Sequence, residues 1–95
     1  MPIYKNSKID CFYYDGSAPD IKHPCQVRIE TKEIVIDYEG DGERVLYSGK
    51  ELSPGHFELS CEGGHASLHR FDNSIILEGS WKEDDYSGMW KIWLA

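Results

Sequence analysis

Turn-forming pairs interrupt this chain so often that no stretch carries the i, i+3, i+4, i+7 apolar spacing of a helix over about ten residues or more. Between the interruptions, apolar and polar residues alternate, as they do in strands with one face in a core and the other in solvent. The pattern predicts strands near residues 8–14, 25–30, 33–39, 43–48, 56–62, 65–71, 74–82 and 86–94.

The turns constrain which residues face each other, because a two-residue hairpin loop fixes the register of the strands it joins. Thr31-Lys32 sets Ile29 opposite Ile34 and Val27 opposite Ile36, and Asp41-Gly42 sets Tyr38 opposite Val45 and Ile36 opposite Tyr47. The inward set is then Cys25, Val27, Ile29, Ile34, Ile36, Tyr38, Val45 and Tyr47. Gly63-Gly64, with both glycines at positive φ, pairs Cys61 with Ala66, Leu59 with Leu68 and Glu58 with His69. Asp72-Asn73 pairs Leu68 with Leu77 and Ala66 with Gly79. A longer final loop, residues 82–87, places Trp81 against Gly88 and Gly79 against Trp90, so that each indole meets a glycine.

Consecutive hairpins without a crossover helix imply one all-β domain over residues 1–95: an antiparallel up-and-down meander of about eight short strands, closed or half-open as a barrel. A two-sheet sandwich is the alternative. Twelve aromatics in 95 residues supply the buried area so short a chain needs. Segments 15–24, with Pro19 and Pro24, and 49–55 fall outside the alternation and are expected as rim loops or helical turns.

Seventeen Asp and Glu against ten Lys and Arg give a net charge of −7, the wrong sign for gripping phosphate backbones or anionic lipid, so neither nucleic acid nor a membrane is expected as a partner. No apolar run approaches the roughly 18 residues of a spanning helix, and Met1-Pro2-Ile3-Tyr4-Lys5-Asn6 lacks an apolar signal core. Both absences point to a cytoplasmic location. Three cysteines, Cys11, Cys25 and Cys61, are odd in number, lack CxxC spacing and lie in apolar runs, so reduced, buried structural thiols are expected.

No motif names a reaction. Cys61, His65 and His69 have ligand-like spacing, but on a hairpin Cys61 points inward and the histidines outward. His56, Glu58 and His69 could share an outer face, where a metal ion and a plain cross-strand charge cluster remain alternatives. Asp37-Tyr38-Glu39-Gly40-Asp41-Gly42 imitates the start of a calcium loop, but Ser48 stands where the bidentate Glu belongs. No G-x-S-x-G elbow and no phosphate-binding loop opening a helix occurs, so no catalytic residue, cofactor or metal is assigned. Glu83-Asp84-Asp85 forms an acidic tip, either a solvated turn or a handle for a basic partner.

Two binding functions remain. Met89 and Trp93 alternate with inward Trp90 and Ile92 and so face outward, as do Val35 and Ile76; this surface suits a non-catalytic protein-interaction module, possibly one that self-associates through its C-terminal strand. A terminal arm, residues 1–7, folding over Met89 and Trp93 would remove that argument. The alternative is a small-molecule ligand in a rim pocket lined by Tyr13, Tyr47, Trp81 and Tyr86, because strands this short leave a lumen filled by side chains.

Overall fold

The computed structural model describes residues 3–40 and 42–95. Eight antiparallel strands run in chain order: β1 (Ile3–Tyr13), β2 (Asp20–Glu30), β3 (Glu33–Gly40), β4 (Glu43–Ser53), β5 (His56–Cys61), β6 (Gly64–His69), β7 (Ile76–Glu83) and β8 (Tyr86–Trp93). Each pairs with the next, and β1 closes on β8 from Lys8 opposite Trp93 to Tyr13 opposite Gly88. The meander is therefore a closed barrel rather than a sandwich, and closure pairs β1 with β8 instead of leaving either as an edge strand.

The expected register holds through the first half. Ile29 faces Ile34, Val27 faces Ile36 and Cys25 faces Tyr38, while Ile36 faces Tyr47 and Tyr38 faces Val45. Lys32, in the β2–β3 turn, has φ +59°. Asp41 of the expected Asp41-Gly42 turn lies outside the described residues, and Gly42 has φ +79°.

Between β5 and β7 the register moves by two residues. Cys61 faces Gly64, Leu59 faces Ala66 and Phe57 faces Leu68, so the turn is Glu62-Gly63. Gly63 has φ +81° and Gly64 does not take the left-handed conformation. Gly64 is small for a different reason: a Cβ there would run into the Tyr47 hydroxyl. Across β6 and β7, Leu68 faces Gly79 and Ala66 faces Trp81, with residues 70–75 as the connection and Asn73 at φ +59°. A two-residue slip preserves which face each side chain occupies, so the inward set survives.

The last hairpin pairs Trp81 with Gly88 and Gly79 with Trp90 as expected, but its turn is only Asp84-Asp85, with Asp84 at φ +53°. A Cβ on Gly88 would meet the Phe12 carbonyl of β1, and one on Gly79 the Ser67 carbonyl of β6, so bare backbone lets neighbouring strands close in beside the indoles. Segments 15–24 and 49–55 are mostly strand: β2 starts at Asp20, β4 runs to Ser53, and both are irregular in pairing. Bulges absorb the extra residues there, including Lys22 at φ +53° beside Pro24. Residues 3–7 belong to β1 and pair with β2 rather than covering β8. Met1 and Pro2 of the expected arm lie outside the described residues.

Among the described residues fifteen hydrophobic side chains form the buried core, with Val27, Ile36, Leu68, Leu77 and Ile92 at 0% exposure. Fully burying one such aliphatic group stabilises the fold by about 1.5–3 kcal/mol. Among the described residues no helix is long and apolar enough to cross a membrane.

Candidate functional site

The hairpin turns alternate between the two ends of the barrel, and the chain sorts its chemistry accordingly. The end bearing the β2–β3, β4–β5 and β6–β7 connections is filled by Ile34, Phe57, Leu68, Leu77, Ile92 and Leu94. The opposite end, where β1–β2, β3–β4, β5–β6 and β7–β8 connect, holds Cys11, Tyr13, Tyr38, Tyr47, Cys61, Trp81 and Trp90 on the inner wall.

At this aromatic mouth the rings meet edge to face. Tyr47 and Tyr38 stand at 84° and 86° to Trp90, with centroids 4.9 and 6.3 Å away, and Tyr13 stands at 89° to Trp81 at 5.5 Å. Trp81 and Trp90 lie nearly parallel, 6.4 Å apart. Tyr13 donates its hydroxyl hydrogen to Asp20 Oδ2 at 3.0 Å, and Tyr47 donates to Glu83 Oε2 at 2.9 Å. Burial raises all three phenols above the ordinary tyrosine range; the neighbouring Asp20 adds to this at Tyr13, and Glu83 at Tyr38 and Tyr47. The phenols therefore stay neutral donors. Burial also pushes the Cys11 thiol up, and that of Cys25 to about 12. All three cysteines are free, as expected, but Cys11 and Cys61 are only half-buried, at the mouth. Trp81 Nε1–H is a buried donor with no hydrogen-bond partner, in the same aromatic layer.

The four rim residues singled out from sequence share this end. Tyr13, Tyr47 and Trp81 line the inner wall, and Tyr86, 58% exposed, faces Glu83 across the final turn. Asp20 and Glu83, which hold the tyrosine hydroxyls, escaped the sequence reading. The acidity of β7–β8 was visible there, but not that Glu83 turns inward.

The outer-face candidates are not all neighbours. Met89 is 46% exposed. Trp93 is half-buried between Lys8 and Ile76, with Lys91 Nζ 5.3 Å from its ring centroid. Val35 lies apart on β3, in a shallow groove of about 150 Å³ with Ile3, Arg28, Arg44 and Leu46. The stronger apolar pair is Met89 with Phe12, which faces it across the β1–β8 seam and is 41% exposed. Tyr14, just past β1, and Ile21 on β2 are 64% and 51% exposed. Phe12 was hidden from sequence because β1 and β8 pair across nearly the whole length of the chain, beyond the reach of any turn rule.

On the outer face of β5 and β6, Glu58 accepts hydrogen bonds from His56 Nε2 at 2.5 Å, His65 Nε2 at 2.8 Å and Ser67 Oγ at 2.6 Å. Ser67, then the two imidazoles, hold its carboxyl below the usual range against the opposing effect of desolvation. His56 stacks on His69 at 4.9 Å, so it is His56 rather than Glu58 that faces His69. Among the described residues no three His, Cys, Asp or Glu side chains are grouped to hold a metal ion. In the calcium-like run, Asp37 is engaged by Arg44 Nε at 3.0 Å and Tyr38 turns inward.

No protein-family model, curated protein or solved structure matches this chain.

Proposed function

We propose that the chain is a non-catalytic, cytoplasmic protein-interaction module that pairs with a second copy of itself through the outer face of β1 and β8. The observation that carries this reading is the Phe12–Met89 pair, directly opposite in register and 41% and 46% exposed. Large apolar side chains placed side by side on a solvent face contribute little to the monomer and are enriched at interfaces.

The seam is also self-complementary. A two-fold axis between β1 and β8, parallel to both, lays β1 of each copy over β8 of the other. Phe12 then covers Met89, and Lys8 approaches Trp93, each contact occurring twice. The net charge of −7 opposes approach, so added salt should strengthen the pairing.

Sedimentation equilibrium of the wild type and of Met89→Glu, at low and moderate salt, tests this. The wild type should dimerise, more tightly at the higher salt. The variant should associate about 30-fold or more weakly, the scale of losing a central anchor of about 2 kcal/mol. At a concentration low enough for both to be monomeric, its melting should match that of the wild type. A wild type that remains monomeric at high concentration removes the self-association reading.

A further inference from the structure

Strands of a barrel are tilted, so neighbours are staggered and some run past the end of the next. Among the described residues this happens to parts of β1, β2 and β4. Residues 3–7 of β1 extend beyond β8, but the chain end covers them: Asn6 N–H donates to the Ala95 carbonyl at 2.9 Å, and Ala95 N–H to Ser7 Oγ at 3.1 Å. Residues 20–24 of β2 extend beyond β3 and are blunted by Lys22 at φ +53° and by Pro24, which has no N–H to offer. Residues 43–47 of β4 have neither protection. They pair with β3 throughout, while β5 joins β4 only from Ser48, opposite Ser60.

This stretch is regular strand, without a bulge, a proline or a positive φ, and Val45, Leu46 and Tyr47 favour extended backbone. Antiparallel pairing turns the backbone groups of successive residues to alternate sides. A two-residue turn closes on a hydrogen-bonded pair, here Gly40 and Glu43, so Val45 and Tyr47 also face β3 while Arg44 and Leu46 face the β5 side. The same parity follows from the far end of β4, where the Glu58 carbonyl points at β4 and would collide with a Cβ on Gly49. Arg44 and Leu46 therefore each present an N–H and a C=O that β5 does not reach.

Charge selects what can take them. Glu43 lies on the edge itself, Glu62 comes level with Leu46 just past the end of β5, and the nearby cation, Arg44, is held by Asp37. Two copies paired along this edge would bring these carboxylates together in a chain of net charge −7, whereas a cationic strand is attracted. We propose that the β4 edge takes up an extended basic segment of a partner protein as an added strand. Its aliphatic side chains lie on the outer face beside Leu46, which is 45% exposed, and its cationic ones on the inner face beside Glu43 and Glu62. The edge lies across the barrel from the β1–β8 seam, so it stands whether or not the chain dimerises.

The probe is acetyl-Lys-Val-Lys-Val-Lys-amide, titrated into the full chain by calorimetry at low and moderate salt. Binding should saturate and should weaken with added salt, the reverse of pairing through the seam. N-methylation of both valines keeps every charge and side chain but removes the donors that face β4, and should weaken binding about tenfold or more. N-methylation of the central lysine, whose N–H faces away from β4, should leave binding unchanged. On the protein side, Leu46→Pro deletes an edge donor that the fold does not use and should weaken binding about fivefold or more, while Met89→Glu binds as the wild type does. The methylated peptides keep the test decisive if the proline variant fails to fold. No saturable binding, equal binding of the valine-methylated peptide, or unaltered binding by a folded Leu46→Pro variant would each overturn the proposal. Concentration-dependent amide shifts at Arg44 and Leu46 without peptide would assign the edge to a second copy and overturn it as well.

Discussion

At one end of the barrel Phe57, Leu68, Leu77 and Ile92 face one another without a polar side-chain atom among them, and each is at most 3% exposed. At the other end the inner wall carries three tyrosine hydroxyls, two thiols, two carboxylates and an indole N–H without a partner. Both ends are built from the same hairpins, so the backbone does not explain the difference. An aliphatic plug alone would satisfy a barrel of this size more cheaply, since every polar group taken inside must find a partner. The aromatic end instead gathers its polar groups toward the rim, where the Tyr13 and Tyr47 hydroxyls each find a carboxylate partner.

Substitutions at the two ends should separate these roles. Trp90→Ala removes the indole that Tyr38 and Tyr47 pack against and should cost roughly 3–5 kcal/mol, enough to unfold a domain this small. Leu68→Ala at the aliphatic end should cost about 2–5 kcal/mol. Tyr86→Ala at the mouth, where the side chain is 58% exposed, should stay within about 0.5 kcal/mol. Thermal melting of the three variants checks the order. Equal losses for Leu68→Ala and Tyr86→Ala would erase the contrast between the ends.

Gly64→Val sharpens the boundary of the mouth. Its side chain would press on the Tyr47 hydroxyl and should destabilise by roughly 1–3 kcal/mol through overpacking. Removing the hydroxyl with Tyr47→Phe should recover part of that loss in the double variant, as a denaturation cycle would show. No recovery would mean that Gly64 is required for another reason.

The smallest effect belongs to the Glu58 cluster, outside the barrel. The folded carboxyl titrates below its ordinary range, so its contribution to stability is complete above the unfolded value and disappears as pH falls through the lowered folded one. Glu58→Gln should therefore flatten the acid side of the stability profile and leave the aromatic mouth unaffected. A profile identical to wild type below about pH 5, where carboxylates titrate, would contradict the assignment.

Much of the architecture was legible in the chain. Alternation named the inward residues, and the short turns at Thr31-Lys32 and ahead of Val45 gave the β2–β4 register pair by pair. The register failed at Gly63-Gly64, where two adjacent glycines look like a turn but only the first has positive φ. The second is small because Tyr47, 17 residues earlier, reaches across the lumen to it. Such a reason is tertiary and leaves no local trace. The same limit hid Phe12, whose exposed neighbour Met89 comes to it only through closure of the barrel. Trp93 was read correctly as lying on the outer side, yet the Lys91 ammonium over its ring makes it a less open group than Met89.

The claim that the β1–β8 seam is an interface is tested most directly by ¹⁵N–¹H correlation spectra of the wild type over a dilution series. Concentration-dependent shifts should concentrate at Lys8, Phe12, Tyr14, Met89, Lys91 and Trp93, with the His56 to His69 hairpin on another part of the barrel unchanged. Spectra that do not vary with concentration, or shifts centred on β4 to β6, would contradict it.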